Sequence, residues 1–410
     1  MIALADNERA RKVADAMAVA AVAAIPWSTS GIYIFVLGWL IAVLPTIKPE
    51  EMRDVMRHPV AYLPVALVVL AAIGMLWAEV PWSERMKAFG AFAKLLTLPI
   101  LFVQFRNSDR VHWVLLGFLA SCTVLLIVSY VGVGFGLRFK SYGVPVRDRI
   151  AQSGEFILCA AGLFYVAMTY WAQRRTRLML GVLALAVLFL ISVFFVSTSR
   201  TALVTLPLLF VLYAVTQSRP AQMVAFLAVL ALAGGIVWVS SVHVQQRVLG
   251  IFSEIEEQDA KPTSAGQRVT FWRQSLAIIE TAPVIGHGTG SVRKQFEAAV
   301  AAEKSNEPPT VNPHNQTFMV AIQLGVLGAL VLYAMWIAHF TLFLRGAGLV
   351  SFIGLAVVTQ NVVGCLFNTH LFDVVQGWIY FFGVGAAGGW MLKHTQPETQ
   401  PAARADSLAA

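Results

Sequence analysis

The chain has 410 residues, of which 58% are hydrophobic and 13% charged, with a formal net charge of +8. Soluble domains average about 45–50% apolar and about 25% charged residues, so this composition excludes an ordinary soluble protein and points to a polytopic membrane protein. The basic residues are scattered through short connections with no aromatic-interleaved stripe, which argues against nucleic-acid binding.

With a bilayer crossed by about 20 apolar residues in a helix, the sequence predicts an all-α integral membrane protein with about twelve transmembrane helices. They fall near 13–29, 31–47, 60–77, 86–104, 111–135, 154–172, 178–197, 200–217, 221–241, 316–343, 347–365 and 374–392. The Ala-rich stretch after Arg9, Arg11 and Lys12 looks like a signal peptide. Asp15 interrupts it, however, and apolar sequence resumes at Gly31, so a retained first helix is expected. The organisation read from this pattern is nine helices over 1–242, a large outer loop over 243–315, three helices over 316–392 and a disordered cytoplasmic tail over 393–410. Cys122, Cys159 and Cys365 all lie in apolar runs without metal-ligand spacing and read as core residues.

Short cytoplasmic loops carry an excess of Lys and Arg. An inside N-terminus gives every internal cytoplasmic connection at least one basic residue, among them Arg53, Arg106, Arg175, Arg219 and Arg345. Two outer segments break the rule: 136–153, with Arg138, Lys140, Arg147 and Arg149, and the long loop itself. An anionic ligand is one reason to hold such cations outside.

The long loop is nearly balanced, with seven Lys and Arg against eight Asp and Glu, so it is no simple basic patch. Ser264 to Gln267 fits a capping box opening a helix over 265–281, and Ser291 to Lys304 reads as a second helix. The loop is therefore expected to be a small helical cap. Arg268 and Trp272 share a face. Arg268 near a helix start opposes the macrodipole; an anionic ligand would answer this, as would Glu254, Glu256, Glu257 or Asp259. Arg273 reads as solvated. Gly286, Gly288 and Gly290 either form a tight turn or bring backbone N–H groups to a phosphate.

Arg200 closes Ser197-Thr-Ser-Arg200 at a helix end, where it either snorkels or uses its fork-shaped guanidinium on a pyrophosphate. His314, beside Asn315 at the return to the membrane, is placed to deprotonate a sugar hydroxyl, with a structural role as the alternative. His243, His287, His339 and His370 are rivals for that base. No D-x-D sequence supports a metal-nucleotide site, and no metal or other cofactor is expected.

Taken together, Ser197-Thr-Ser-Arg200-Thr-Ala-Leu, Gln267-Arg268-Val-Thr-Phe-Trp272, Pro283-Val-Ile-Gly-His-Gly288 and Pro313-His314-Asn315-Gln-Thr-Phe318 through Leu324-Gly325 resemble the O-antigen ligase family. The resemblance implies a bacterial inner-membrane enzyme with a large periplasmic loop. Such enzymes move O-antigen polysaccharide from undecaprenyl pyrophosphate to the lipid A core, completing lipopolysaccharide without a metal. It also implies that Arg200 and Arg268 engage the pyrophosphate and that His314 activates the acceptor hydroxyl in an inverting displacement. The family often has a carboxylate just before the Gly of the last motif, where this chain has Gln323. An O-antigen polymerase or related transferase of lipid-linked oligosaccharides is the nearest alternative. A transporter or flippase for an anionic lipid is a distant one, expected to place ionisable residues such as Lys94 and Glu155 along a path through the membrane.

Overall fold

The computed structural model describes residues 2–139, 141–256, 263–303 and 309–394. Lys140 and the tail from 395 onward, including most of the segment expected to be disordered, lie outside the described residues. The fold is all-helical among the described residues, apart from an isolated bridge between Ser141 and Val144. In chain order the helices are α1 (Ile2–Ala24), α2 (Thr29–Val43), α3 (Pro49–Val55), α4 (Pro59–Gly74), α5 (Trp82–Ala93), α6 (Thr97–Arg106), α7 (Val111–Gly134), α8 (Arg149–Ala172) and α9 (Thr176–Ile191). They continue as α10 (Arg200–Gln217), α11 (Pro220–Ser240), α12 (Val242–Glu256), α13 (Ser264–Thr281), α14 (Val292–Glu303), α15 (Gln316–Leu344), α16 (Gly348–Cys365) and α17 (Val374–His394).

Each of the twelve expected spans coincides with helix, but they do not all qualify as crossings. Among the described residues, nine helical segments are long and apolar enough to cross a membrane, or ten if α3 and α4, bent by 94°, count as one. The first and last helices, α1 and α17, are not among the nine, because polar residues such as Asp15 and several glycines dilute their apolar content. Asp15 does not break α1. It is buried, accepts from Gln104 Nε2 at 2.8 Å and Ser108 Oγ at 2.9 Å, and lies 3.6 Å from Arg110. The polar interruption is therefore a lock between α1 and the end of α6.

The interior is one large apolar cluster built on Trp39, Phe102, Phe156, Tyr380, Phe381 and Phe382, all without solvent exposure. Large apolar residues also point outward, including Ile34, Leu76, Leu232 and Ile337, as expected where lipid replaces water as the solvent. Arg11–Glu51, Arg106–Asp54, Arg110–Asp15 and Lys393–Asp109 ion pairs gather at one end of the bundle. At about 1.5 Å per residue, the 21 residues of α17 carry the chain from that cluster to the opposite end, where the long loop sits.

The loop folds as the expected cap, with three corrections. Residues 242–256, read as polar loop, form α12; the apolar spacing Val244, Val248, Ile251, Ile255 carries the helical period. The cap of α13 is Thr263, whose hydroxyl accepts from Gly266 N at 3.2 Å, and not Ser264. Gln267 is then one position too far along for a capping box, and Arg268 moves from the first turn into the second. The second helix matches its expected limits at Val292–Glu303. Ile278, Val292, Phe296 and Ile322 form a small core of their own that binds α13 and α14 onto α15.

A break in α15 holds this cap down. Gly325 has φ 64° and ψ −162° inside the helix, a conformation essentially restricted to glycine. The break frees carbonyls that the cap then uses: His287 N donates to Ile322 O and Gly288 N to Gln323 O, both at 2.9 Å. Gln323 also accepts from Gly290 N through Oε1 at 2.9 Å and donates through Nε2 to Met319 O at 2.8 Å. Val326 N returns a bond to Pro283 O at 2.8 Å.

Candidate active site

His314 stands between Pro313 and the first turn of α15, with a left-handed backbone (φ 51°). For a non-glycine residue this is strained, and such strain survives only where surroundings over-determine it. The surroundings are an amide network. His314 N donates to Asn312 Oδ1 at 2.8 Å, which fixes the orientation of that amide. Asn312 Nδ2 therefore donates to Asn368 Oδ1 at 3.2 Å. The same oxygen lies 3.1 Å from His314 Nδ1, so Nδ1 must carry the proton and Nε2 keeps its lone pair. Phe271 of α13 stacks nearly parallel on the imidazole, at 17° and 6.1 Å between centroids.

Burial holds the His314 pKa below its usual value, the Arg268 charge adds to this, and the bond its ring donates to Asn368 opposes it. The imidazole is thus neutral near pH 7 and oriented as a hydrogen-bond acceptor, the form a general base requires. Of its rivals, His287 Nε2 is held by Thr281 Oγ1 and Ile278 O. His339 is enclosed between Tyr380 and Val60 O, and His243 is exposed on α12. Of these rivals, His370 lies in the same neighbourhood as His314: it lines a cleft with Asn368, and Arg268 acts on both rings.

Arg268 acts electrostatically on both His314 and His370, which places its side chain between the cap and the bundle. Arg200 opens α10. Ahead of it a π-helical turn, Ser192–Val196, ends with Ser197 N bonded to Ser192 O at 2.8 Å. This widened turn buries Ser197, Thr198 and Ser199. Ser199 caps α10 through Ala202 N at 3.2 Å and meets Ser153 of α8 at 2.6 Å. Arg200 is thereby aimed at the cap, where its Nε donates to Arg247 O of α12 at 3.0 Å. Thr201, Ala202 and Thr205 share a small cavity with His370 and Gln376. The three residues singled out by sequence therefore come to one end of the bundle, grouped around His370 and the start of α10.

The remaining candidates divide. Arg147 lines a cleft of about 440 Å³ with Asp148, Asn368, His370, Asp373 and Gln376. Arg138 is exposed and Arg149 is the first residue of α8. Gly286 N and Gly288 N are bonded to Ala282 O and Gln323 O, so these amides offer no phosphate cradle and the tight-turn reading describes them. Asn315 is likewise committed: Oδ1 caps α15 through Thr317 N and Phe318 N, and Nδ2 donates to Leu366 O at 3.1 Å. Arg273 is exposed and 3.9 Å from Glu303, as a solvated residue would be. Glu257 and Asp259 lie outside the described residues, as do the side chains of Glu254 and Glu256.

Sequence reading missed Asn368 and Phe271. Phe271 sits inside the Gln267 to Trp272 motif, so its spacing from Arg268 was available as a signal. Asn368 lies 54 residues beyond His314, and no local pattern connects them. Among the described residues, no group of three or more His, Cys, Asp or Glu side chains is arranged to hold a metal ion.

Residues 185–333 match the family model described as O-antigen ligase. The matched stretch contains Arg200, Arg268 and His314. The match supports membrane glycosyl transfer of the O-antigen ligase or polymerase type, by a multi-pass membrane protein. No curated protein matches the chain.

Proposed function

We propose that this chain, whose residues 185–333 match the O-antigen ligase model, is an O-antigen ligase. It moves polysaccharide from undecaprenyl pyrophosphate to a hydroxyl of the lipid A core at the periplasmic face of the bacterial inner membrane. The observation that carries this reading is the neutral, Nδ1-protonated His314 held beside Arg268 beneath a packed cap. His314 Nε2 takes the proton of the acceptor hydroxyl as its oxygen attacks the anomeric carbon. The carbon–oxygen bond to pyrophosphate breaks, and its electron pair leaves with the pyrophosphate.

Arg268 and Arg200 neutralise the charge that develops on the leaving group. Fixed guanidinium groups need no reorganisation at the moment of reaction, and such electrostatic stabilisation is commonly the largest catalytic contribution. A single displacement inverts the anomeric centre. The transporter alternative loses support from the two residues that best fitted it. Lys94 lies at the break between α5 and α6 and donates to Phe372 O at 2.7 Å, and Glu155 is enclosed in α8 beside the Ser153–Ser199 contact. Both are at the site end of the bundle, not spaced along a path.

A deletion strain separates ligase from polymerase. Lipid A core without any O-antigen, together with accumulated lipid-linked polymer, is the ligase outcome. A single repeat unit on the core would point to the polymerase.

A further inference from the structure

The cleft between segments 144–151 and 366–376 holds a set of buried donors that no described residue satisfies. His370 is 3% exposed, and neither ring nitrogen has a partner. Arg147 has Nε and Nη2 both buried and unpaired. These two N–H groups lie along one edge of the guanidinium, spaced for two oxygens of a single oxyanion. Gln376 Nε2 is also unpaired, while its Oε1 accepts from Gln360 Nε2 at 3.0 Å. Buried polar groups are ordinarily bonded, so three such side chains lining one cleft mark the place of a ligand rich in acceptor oxygens.

Two carboxylates border the cleft, but both serve as helix caps. Asp148 Oδ1 accepts from Ile150 N and Ala151 N at the start of α8, and Asp373 Oδ1 from Val375 N and Gln376 N at the start of α17. Two helix N-termini thus open onto the cleft, and their dipoles offset part of the negative charge of the two capping carboxylates. Burial pushes the His370 imidazole down to about 4, against the pull of Asp373 and Asp148. It therefore offers one neutral N–H. A side chain at Gly364 would occupy the space of the ring, so α16 is shaped to seat it.

We infer that this cleft binds a phosphate group of a substrate, with Arg147 gripping two oxygens and His370 and Gln376 donating to others. Its donors, Arg147, His370 and Gln376, are residues other than Arg200 and Arg268 and lie outside the matched family segment. The substrates named here rest on the proposed ligase function; the phosphate chemistry rests on the cleft. The phosphate belongs either to the polyprenyl donor or to the lipid A core acceptor.

Binding to detergent-purified, full-length protein is measured with undecaprenyl pyrophosphate, undecaprenol, phosphorylated lipid A core and the same core after phosphatase treatment. Arg147→Gln and His370→Ala should each weaken binding of one phosphorylated probe about tenfold or more and leave its dephosphorylated counterpart unchanged. An effect on the lipid pair identifies the donor as the source; an effect on the core pair identifies the acceptor. Arg147→Lys, which keeps the charge but loses the fork, and His370→Gln, which keeps an N–H donor, serve as variants least disturbing to the fold. The first should bind weakly and the second should keep most of the affinity. Binding of all four probes within twofold of wild type by both Arg147 variants and by His370→Ala overturns the inference. Phosphate-selective binding through Arg147 and His370 in a protein that transfers no glycan would sink the ligase reading and leave the cleft standing. Transfer without such selectivity would do the reverse.

Discussion

Asn368 Oδ1 accepts from His314 Nδ1 at 3.1 Å across the gap between the α16–α17 connection and the start of α15. This contact fixes which imidazole nitrogen can act as a base. Asn368→Ala leaves the ring free to rotate and to exchange tautomers, and should lower kcat by about 10- to 100-fold with little change in KM. Asn368→Asp keeps the geometry but adds a negative charge, which raises the His314 pKa and moves the acid limb of the rate profile to higher pH. A kcat unaltered in Asn368→Ala would remove this residue from the account.

The pH dependence of His314 has a definite sign. Burial and Arg268 lower its pKa, so the base stays neutral below the ordinary histidine range, near 6.5. Activity limited by His314 should therefore hold through neutral pH and decline only below about 6.5. Carbethoxylation of His314, which requires the neutral ring, should follow the same profile when mapped by mass spectrometry. In Arg268→Gln the adjacent charge is gone and the midpoint of modification should rise.

The latch between Gly325 and the cap can be tested without touching the chemistry. A Cβ at position 325 would collide with the Val284 carbonyl group, and the backbone conformation alone disfavours any side chain there. Gly325→Ala should cost on the order of 3 kcal/mol and lower the Tm markedly. Gln323→Glu retains an oxygen for Gly290 N but sets a buried carboxylate oxygen against Met319 O, so it should cost on the order of 3 kcal/mol and also lower the Tm. Loss of transfer in Gln323→Glu at unchanged Tm would show that the amide has a role beyond holding the cap.

His370 links stability to pH. Its folded-state pKa is depressed to about 4, below the unfolded value near 6.5. Between those values the unfolded chain binds the extra proton. The stability from His370 is therefore present above 6.5 and is lost as pH falls towards 4. Thermal unfolding in detergent should show a Tm that declines over this window in wild type and declines less in His370→Gln. Equal slopes in the two proteins would contradict the assignment.

Much of this architecture was legible in the sequence, because hydrophobic runs dictate membrane helices wherever the solvent is lipid. The sites of helical breaks were legible only in part. Thr263 outcompetes Ser264 as cap because its hydroxyl reaches Gly266 N, a choice that residue preferences alone do not make. Gly286 and Gly288 read more as a tight turn than as a phosphate cradle, and their own amides, bonded to Ala282 O and Gln323 O, decide for the turn. Arg200, Arg268 and His314 were recognisable because they lie in one contiguous stretch with local motifs. Asn368 and the His370 cleft depend on packing between distant segments, which no local pattern reports.

The most direct measurement incubates the purified full-length protein with undecaprenyl-pyrophosphate-linked polysaccharide and lipid A core, in the presence of a chelator, and follows polysaccharide attached to lipid A by gel mobility. Wild type should form the conjugate, and His314→Ala, inserted and folded, should form none detectable. Conjugate formed by His314→Ala at the wild-type rate, or a wild-type protein that leaves the lipid A core unmodified, would contradict the account.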